Sequence, residues 1–164
     1  MPKLTEKNIG KWFEGEFQKM LEVMRSDSCD RSSYLRLYDS ASARGKFLPA
    51  QPGDFMVAYN AVTFMVECKS SVKHTSLRSC LSSHVKDGQV ALMRMWIASG
   101  NPSCFIFYSA VDQQIEIWPG KSVCECRVDG VPLKKDGYIS RFSADSLEHN
   151  FKLYMNMIKE RNKL

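Results

Sequence analysis

The chain has 164 residues, of which 44% are hydrophobic and 25% charged, the make-up of one ordinary folded domain and not of a disordered, collagenous or coiled-coil chain. No apolar run approaches the roughly 18 residues of a membrane span, and no membrane partner is expected. Lys and Arg number 23 against 18 Asp and Glu, a formal charge of +5, which suits a polyanionic partner but is carried by many plain soluble proteins as well.

Lys3, Glu6 and Lys7 break up the start of the chain, so no secretory signal is expected. Six cysteines are present; without such a signal they read as reduced, mostly buried thiols. Cys124 and Cys126 are one residue apart, which does not match the usual zinc spacing, and alternation on a strand explains them better. With no internal repeat or low-complexity linker, residues 1–164 read as a single domain.

In chain order, residues 5–24 read as a helix with Thr5 as N-cap and Ile9, Trp12, Phe13, Phe17, Met20, Leu21 and Met24 at helical spacing. A short strand is expected over 34–38. The stretch 39–53, with Ser, Ala, Gly and Pro beside Arg44 and Lys46, reads as a long loop, which in a domain this size is either functional or a tolerated insertion. Two apolar runs, 54–59 and 62–69, flank Asn60-Ala61 and read as a hairpin; Asn is a good first turn residue and Ala a poorer second one than Gly. A Ser-rich segment then leads into a helix over 87–99. Residues 104–108 form a near-continuous apolar run, hence a buried strand, and 114–118 a further strand. Residues 119–143 have no clear pattern. A final helix starts after residue 143, with Leu147, Phe151, Tyr154, Met155 and Ile158 on one face. The order implies an α/β fold, a central mixed β-sheet flanked by helices.

The hairpin carries the most specific inference. A two-residue loop pairs Tyr59 with Val62, Val57 with Phe64 and Phe55 with Val66, and counting on sets Asp54 against Glu67. Directly opposed residues share a face, with Cβ atoms about 4.5–5.5 Å apart. Asp54, Met56, Ala58, Thr63, Met65, Glu67 and Lys69 thus line one face, with two carboxylates and an ammonium at its end. Opposed like charges destabilise a hairpin, and a divalent cation between them reverses the sign. Oxygen ligands suit Mg²⁺, which can activate water and stabilise a phosphoryl oxyanion. Equally, the three side chains suit solvent-facing strand ends with Lys69 in an ordinary ion pair.

Asp54, then Glu67-Cys68-Lys69 after a gap of twelve residues, resembles the PD-(D/E)xK nuclease signature. Gly10-Lys11-Trp12-Phe13-Glu14 is similar to the Gly-x-x-x-Glu motif of archaeal and phage Holliday-junction resolvases, and Arg36-x-x-x-Ser40 stands where those enzymes place an arginine and a serine-bearing loop. The resemblance covers residues 10 to about 109. It departs from the family at Pro52, which Gly53 separates from Asp54, and it stops near residue 110.

The resemblance implies a restriction-endonuclease-like core and a Mg²⁺-dependent endodeoxyribonuclease, with Mn²⁺ as a substitute, acting on branched DNA as a homodimer. Glu14, Asp54 and Glu67 would bind the metal, and Lys69 would be the catalytic lysine. Glu16 competes with Glu14: it lies nearer the middle of the apolar stripe, whereas the spacing from Gly10 favours Glu14. Gln89 stands where related enzymes place a helix glutamine near the site, and Ser40 or Ser42 is placed to meet a phosphate. The implied setting is the cytoplasm of a bacterial, archaeal or phage-infected cell. A restriction- or repair-type nuclease on linear duplex, or a catalytically silent DNA-binding protein on the same scaffold, fits the pattern too.

Lys3, Lys7 and Lys11 form one stripe if the first helix begins early enough, Arg44 and Lys46 lie in the long loop, and Lys73, His74, Arg78 and Lys86 follow the Glu-x-Lys. Lys7, Lys11, Arg44, Lys46, Lys73 and Arg78 are the candidate DNA contacts, with solvated charge as the plain alternative. The 104–108 run with Met93 and Met95 offers interface surface, though core is the favoured reading of both.

Overall fold

A computed structural model describes residues 4–27, 31–37, 51–135 and 137–161; Ser40, Ser42, Arg44, Lys46, Lys3 and Cys29 lie outside them. Among the described residues six strands, β1 Ser32–Arg36, β2 Phe55–Tyr59, β3 Val62–Ser71, β4 Ser103–Ser109, β5 Gln114–Pro119 and β6 Ile139–Ser143, make one sheet in the order of the sequence. Every neighbouring pair is antiparallel except β3 and β4, which run parallel. A parallel pair needs a crossover, and here it holds two helices, α2 Leu77–His84 and α3 Asp87–Ala98. This is the mixed sheet flanked by helices that the element order implies.

Strand alternation sends side chains to two cores. On one face, α1 Ile9–Ser26 and α5 Leu147–Arg161 pack Phe13, Phe17, Phe151 and Tyr154 against Phe55, Val57, Phe64, Val66 and Ile106. On the other, α2, α3 and α4 Gly120–Asp129 pack Leu77, Val90, Met93 and Val123 against Met65, Phe105, Phe107 and Trp118. β4 is buried along its whole length, so the 104–108 run is core, as is Met93, while Met95 is 68% exposed.

The hairpin register is the predicted one: Tyr59 pairs with Val62, Val57 with Phe64 and Phe55 with Val66. Asn60 and Ala61 both have positive φ, 48° and 69°, the backbone of a tight turn whose twist matches the strands it joins.

Several expectations shift. Helix α1 starts at Ile9, not near Thr5, because the Thr5 carbonyl accepts from the N–H groups of both Asn8 and Ile9, and the Asn8 side chain turns back to the Thr5 N–H. Lys7 therefore sits in a turn, and the Lys7–Lys11 stripe is not a helical one. α2 was hidden by its serines, which are weak helix formers in a helix interior; Ser76 caps it by accepting from the Ser79 N–H. Cys124 and Cys126 lie on α4, not on a strand. That helix is fixed by packing of Val123 and Cys124 under α3 and by an Arg127–Asp87 ion pair of 2.8 Å, and it ends at Gly130 with φ 66°. None of the five described cysteines forms a disulfide. Among the described residues no helix is long and apolar enough to cross a membrane.

Because an L-residue with a Cβ pays for left-handed backbone, Ala61→Gly is expected to raise stability by about 1 kcal/mol, read from urea unfolding midpoints; an unchanged or lower midpoint would contradict this reading of the turn.

Candidate active site

The second half of β3 aims Glu67 and Lys69 at the face covered by α3, while Val66 and Cys68 point into the opposite core. Glu67 is 2% exposed. Ionised carboxylates are rarely buried so completely without partners. Here Glu67 Oε1 receives two: Lys69 Nζ at 2.6 Å and Gln89 Nε2 at 2.6 Å. Lys69 Nζ in turn donates to Gln89 Oε1 at 3.1 Å. Gln89 reaches them from the first turn of α3. The three side chains close a triangle of polar contacts at the head of a helix. The other oxygen, Glu67 Oε2, is buried with no hydrogen-bond partner.

Asp54 completes the arrangement by leaving the ladder. Its N–H donates to the Val66 carbonyl at 2.9 Å, and its own carbonyl accepts from the Leu37 N–H at 2.8 Å. The paired register stops at Phe55 and Val66, so Asp54 does not stand directly across from Glu67. Asp54 Oδ2 accepts from the Cys68 N–H at 2.7 Å, taking the place of a backbone acceptor. Close approach of the chain at Gly53 makes this possible: a Cβ there would lie 2.8 Å from the Val66 carbonyl oxygen and 3.0 Å from the Met65 side chain. Gly53, a departure from the familiar motif in the sequence, is thus a fitted residue in this chain.

Burial pushes the Asp54 carboxyl well above the usual carboxylate range, with the neighbouring Glu67 charge adding to it and the Cys68 N–H opposing. Burial also raises Glu67, against the pull of Lys69 and Gln89. The Cys68 thiol is pushed up by the same burial and by the two carboxylates beside it.

Glu14 comes from α1, on the other face of the sheet. Its charge raises both Asp54 and Glu67, so it stands within electrostatic reach of the pair. Its Oε2, however, is held at 2.8 Å by Arg36, whose other guanidinium nitrogen binds Gln18 Oε1 at 2.8 Å. Among the described residues no three His, Cys, Asp or Glu side chains are gathered closely enough to hold a metal ion. Glu16 points elsewhere. It pairs with Lys19 at 2.8 Å and lines a cavity of about 720 Å³ with Trp12 and Tyr108, and its side chain is more exposed than that of Glu14, the reverse of what the apolar stripe implies.

The donor set nonetheless suits a divalent cation. Its oxygens are hard, two carboxylates repel each other in a dry setting, and one buried oxygen lacks a partner. The Asp54 carboxylate and Glu67 Oε2 are the groups that would hold the ion.

Lys7, Lys11, Lys73 and Arg78 are exposed. Glu6 accepts from Ser71 Oγ at 3.4 Å, so the segment before α1 meets the end of β3. The Lys73 and His74 N–H groups donate to Ser71 Oγ, both at 3.1 Å, which fixes the strap before α2. Two anchors escaped sequence reasoning. Glu116, 3% exposed, receives the Leu77 N–H and Trp118 Nε1 on Oε2 and the Tyr138 hydroxyl on Oε1, and so fixes the start of α2. Arg36 was visible only as part of a motif; its alternation with Tyr34 on β1 and the i, i+4 spacing of Glu14 and Gln18 were the signals for its contacts.

The fold is similar to that of a solved structure of Archaeoglobus fulgidus Hjc, a Holliday junction resolvase from an archaeal hyperthermophile, with 11% identity over 69% of this chain and 78% of that one, and a TM-score of 0.46. No protein-family model and no curated protein matches the chain. What the site can do therefore has to be read from its own residues.

Two outcomes follow from this geometry. Gly53→Ala should lower stability by about 1–3 kcal/mol, measured by urea unfolding, because the Val66 carbonyl is backbone and cannot move aside alone; a wild-type midpoint would contradict the close approach. A folded-state pKa above the unfolded value of about 4 means that stability is full at acid pH and is lost as pH rises through the raised values. Without divalent ions, the wild type should become less stable from about pH 4 towards neutrality, and Asp54→Asn should flatten that decline in pH-dependent unfolding; a variant with the wild-type slope would contradict it.

Proposed function

We propose that the protein is a divalent-metal-dependent endodeoxyribonuclease that hydrolyses phosphodiester bonds in branched DNA, Holliday junctions above all. The observation that carries this reading is the buried Glu67: one oxygen bound by Lys69 and Gln89, the other without a partner beside Asp54. A purely structural carboxylate would have both oxygens satisfied, as Glu116 has.

When bound, Mg²⁺ or Mn²⁺ would offset the charge developing on the phosphate and make the attacking water more acidic. The chain's own residues do the rest. Gln89 and Lys69 occupy Glu67 Oε1 and leave Oε2 for the ion. The Cys68 N–H holds Asp54 in place through a backbone donor, so this ligand depends little on side-chain freedom. Lys69 Nζ, held against Glu67 at 2.6 Å, presents a positive charge where negative charge builds on the phosphate oxygens. Lys7, Lys11, Lys73 and Arg78 bind flanking phosphates, and Ser40, Arg44 and Lys46, outside the described residues, are proposed as further phosphate contacts. Symmetric cutting of a junction needs two such sites, and a two-fold homodimer supplies them. The whole chain acts as one nuclease domain.

The test is cleavage of a synthetic four-way junction, with matched linear duplex in parallel, with and without Mg²⁺. Asp54→Asn should lower the rate at least about a hundredfold, as expected when a metal ligand is lost, while binding of the junction by gel shift persists. Lys69→Ala should cause a comparable loss. Normal cutting by Asp54→Asn would overturn the site assignment. Preferential cutting of the duplex would shift the substrate to linear DNA, and no cutting by the wild type would leave the DNA-binding reading of the scaffold.

A further inference from the structure

The Arg36–Glu14 pair poses a question that the proposed cation site does not answer. This inference rests on the reading of Glu14, Asp54 and Glu67 as that cation's ligands. Glu14 is close enough to raise the pKa of both other acids, yet its Oε2 is committed to Arg36 at 2.8 Å. Arg36 is built into its position. It lies on β1 opposite Phe55, and its guanidinium carbon stands 5.7 Å from the centre of that ring. Leu37, the next residue, donates its N–H to Asp54. Its two terminal nitrogens bridge Glu14 and Gln18, one turn apart on α1. Both partners of the ion pair are about one quarter exposed, so neither is sealed from a ligand arriving at the site.

The charges of the cluster favour an exchange. Glu14, Asp54 and Glu67 against Arg36 and Lys69 sum to −1. A divalent ion alone makes the sum +1, and an ion together with one phosphodiester makes it zero. A guanidinium binds phosphate with the same forked donors that it offers a carboxylate. A phosphate at Arg36 would therefore replace Glu14 there without leaving a cation unpaired, and the released carboxylate is the missing third acid.

We infer that Arg36 and Glu14 form an exchangeable ion pair that couples loading of the cation to binding of the polyanion. With no polyanion, Arg36 keeps Glu14 from the ion; a backbone phosphate at Arg36 frees it. Arg36 is a positioning residue in this scheme, and its effect is exerted through Glu14.

The experiment is Mn²⁺ titration calorimetry on the full chain without DNA. Arg36→Gln should bind Mn²⁺ at least fivefold more tightly than wild type, and the Glu14→Gln/Arg36→Gln double variant should lose that increase. Gln18→Ala, which removes one anchor of Arg36 and leaves Glu14 in place, should give a smaller increase of two- to threefold. Wild-type or weaker affinity in Arg36→Gln would overturn the exchange, as would an increase that survives in the double variant, since that would be general charge attraction. If Arg36→Gln does not fold, as judged by its melting curve, unchanged affinity in Gln18→Ala overturns it alone. Asp54→Asn separates the two levels. Loss of Mn²⁺ binding there leaves the ligand reading standing and confines any failure to Arg36, whereas wild-type binding there contradicts the cation site itself.

Discussion

A carboxylate can be taken out of water only if other groups replace the water. Glu67 sits in the middle of a sheet under a helix, and much of the surrounding architecture supplies that replacement. Lys69 comes from the same face of the same strand two residues on, an arrangement that only an extended chain provides. Gln89 comes from the first turn of α3, so the crossover between β3 and β4 must return its second helix to this spot. The parallel β3–β4 pair and the two-helix crossover thus serve the same carboxylate.

The sheet also divides the site. Glu67, Lys69 and Gln89 lie on the α3 side, Glu14 on the α1 side, and Asp54 just before β2, held by the Cys68 amide. A cation bound beside Asp54 would draw ligands from both faces of the sheet. The ladder must stop short at Asp54 for this to hold, and the bare Gly53 lets the chain pass close to the Val66 carbonyl as it does so. Burial raises the affinity of both carboxyls for protons, and at Asp54 the Glu67 charge adds to it.

Much of this was legible in the sequence. The hairpin was fixed by its apolar alternation and the Asn60-Ala61 turn, and the pairing of Phe55 with Val66 followed by counting. Glu67 and Lys69 fell on one face for the same reason. Asp54 was placed near them, but its departure from the ladder was not visible, because a strand end gives no periodic signal and the constraint lies in contacts of Gly53 with a distant strand. The helix over 87–99 was clear, and with it the place of Gln89. α2 and α4 were missed because serines and an uneven spread of apolar residues blur helical period, and both depend on packing against the sheet. Cys124 and Cys126 were misread as alternating on a strand for the same reason. The hold of Arg36 on Glu14 joins residues 22 apart on different elements; the i, i+4 spacing of Glu14 and Gln18 marks a shared helix face, but not which strand residue meets it.

The central claim is that Asp54 and Glu67 share one divalent ion. Crystals grown with Mn²⁺ and measured at its absorption edge test it most directly. The account predicts an anomalous peak at about 2.0–2.3 Å from Glu67 Oε2 and from the Asp54 carboxylate, the usual range for small divalent ions and oxygen. A peak elsewhere, or none there with Glu67 Oε2 satisfied by a protein donor, would contradict it.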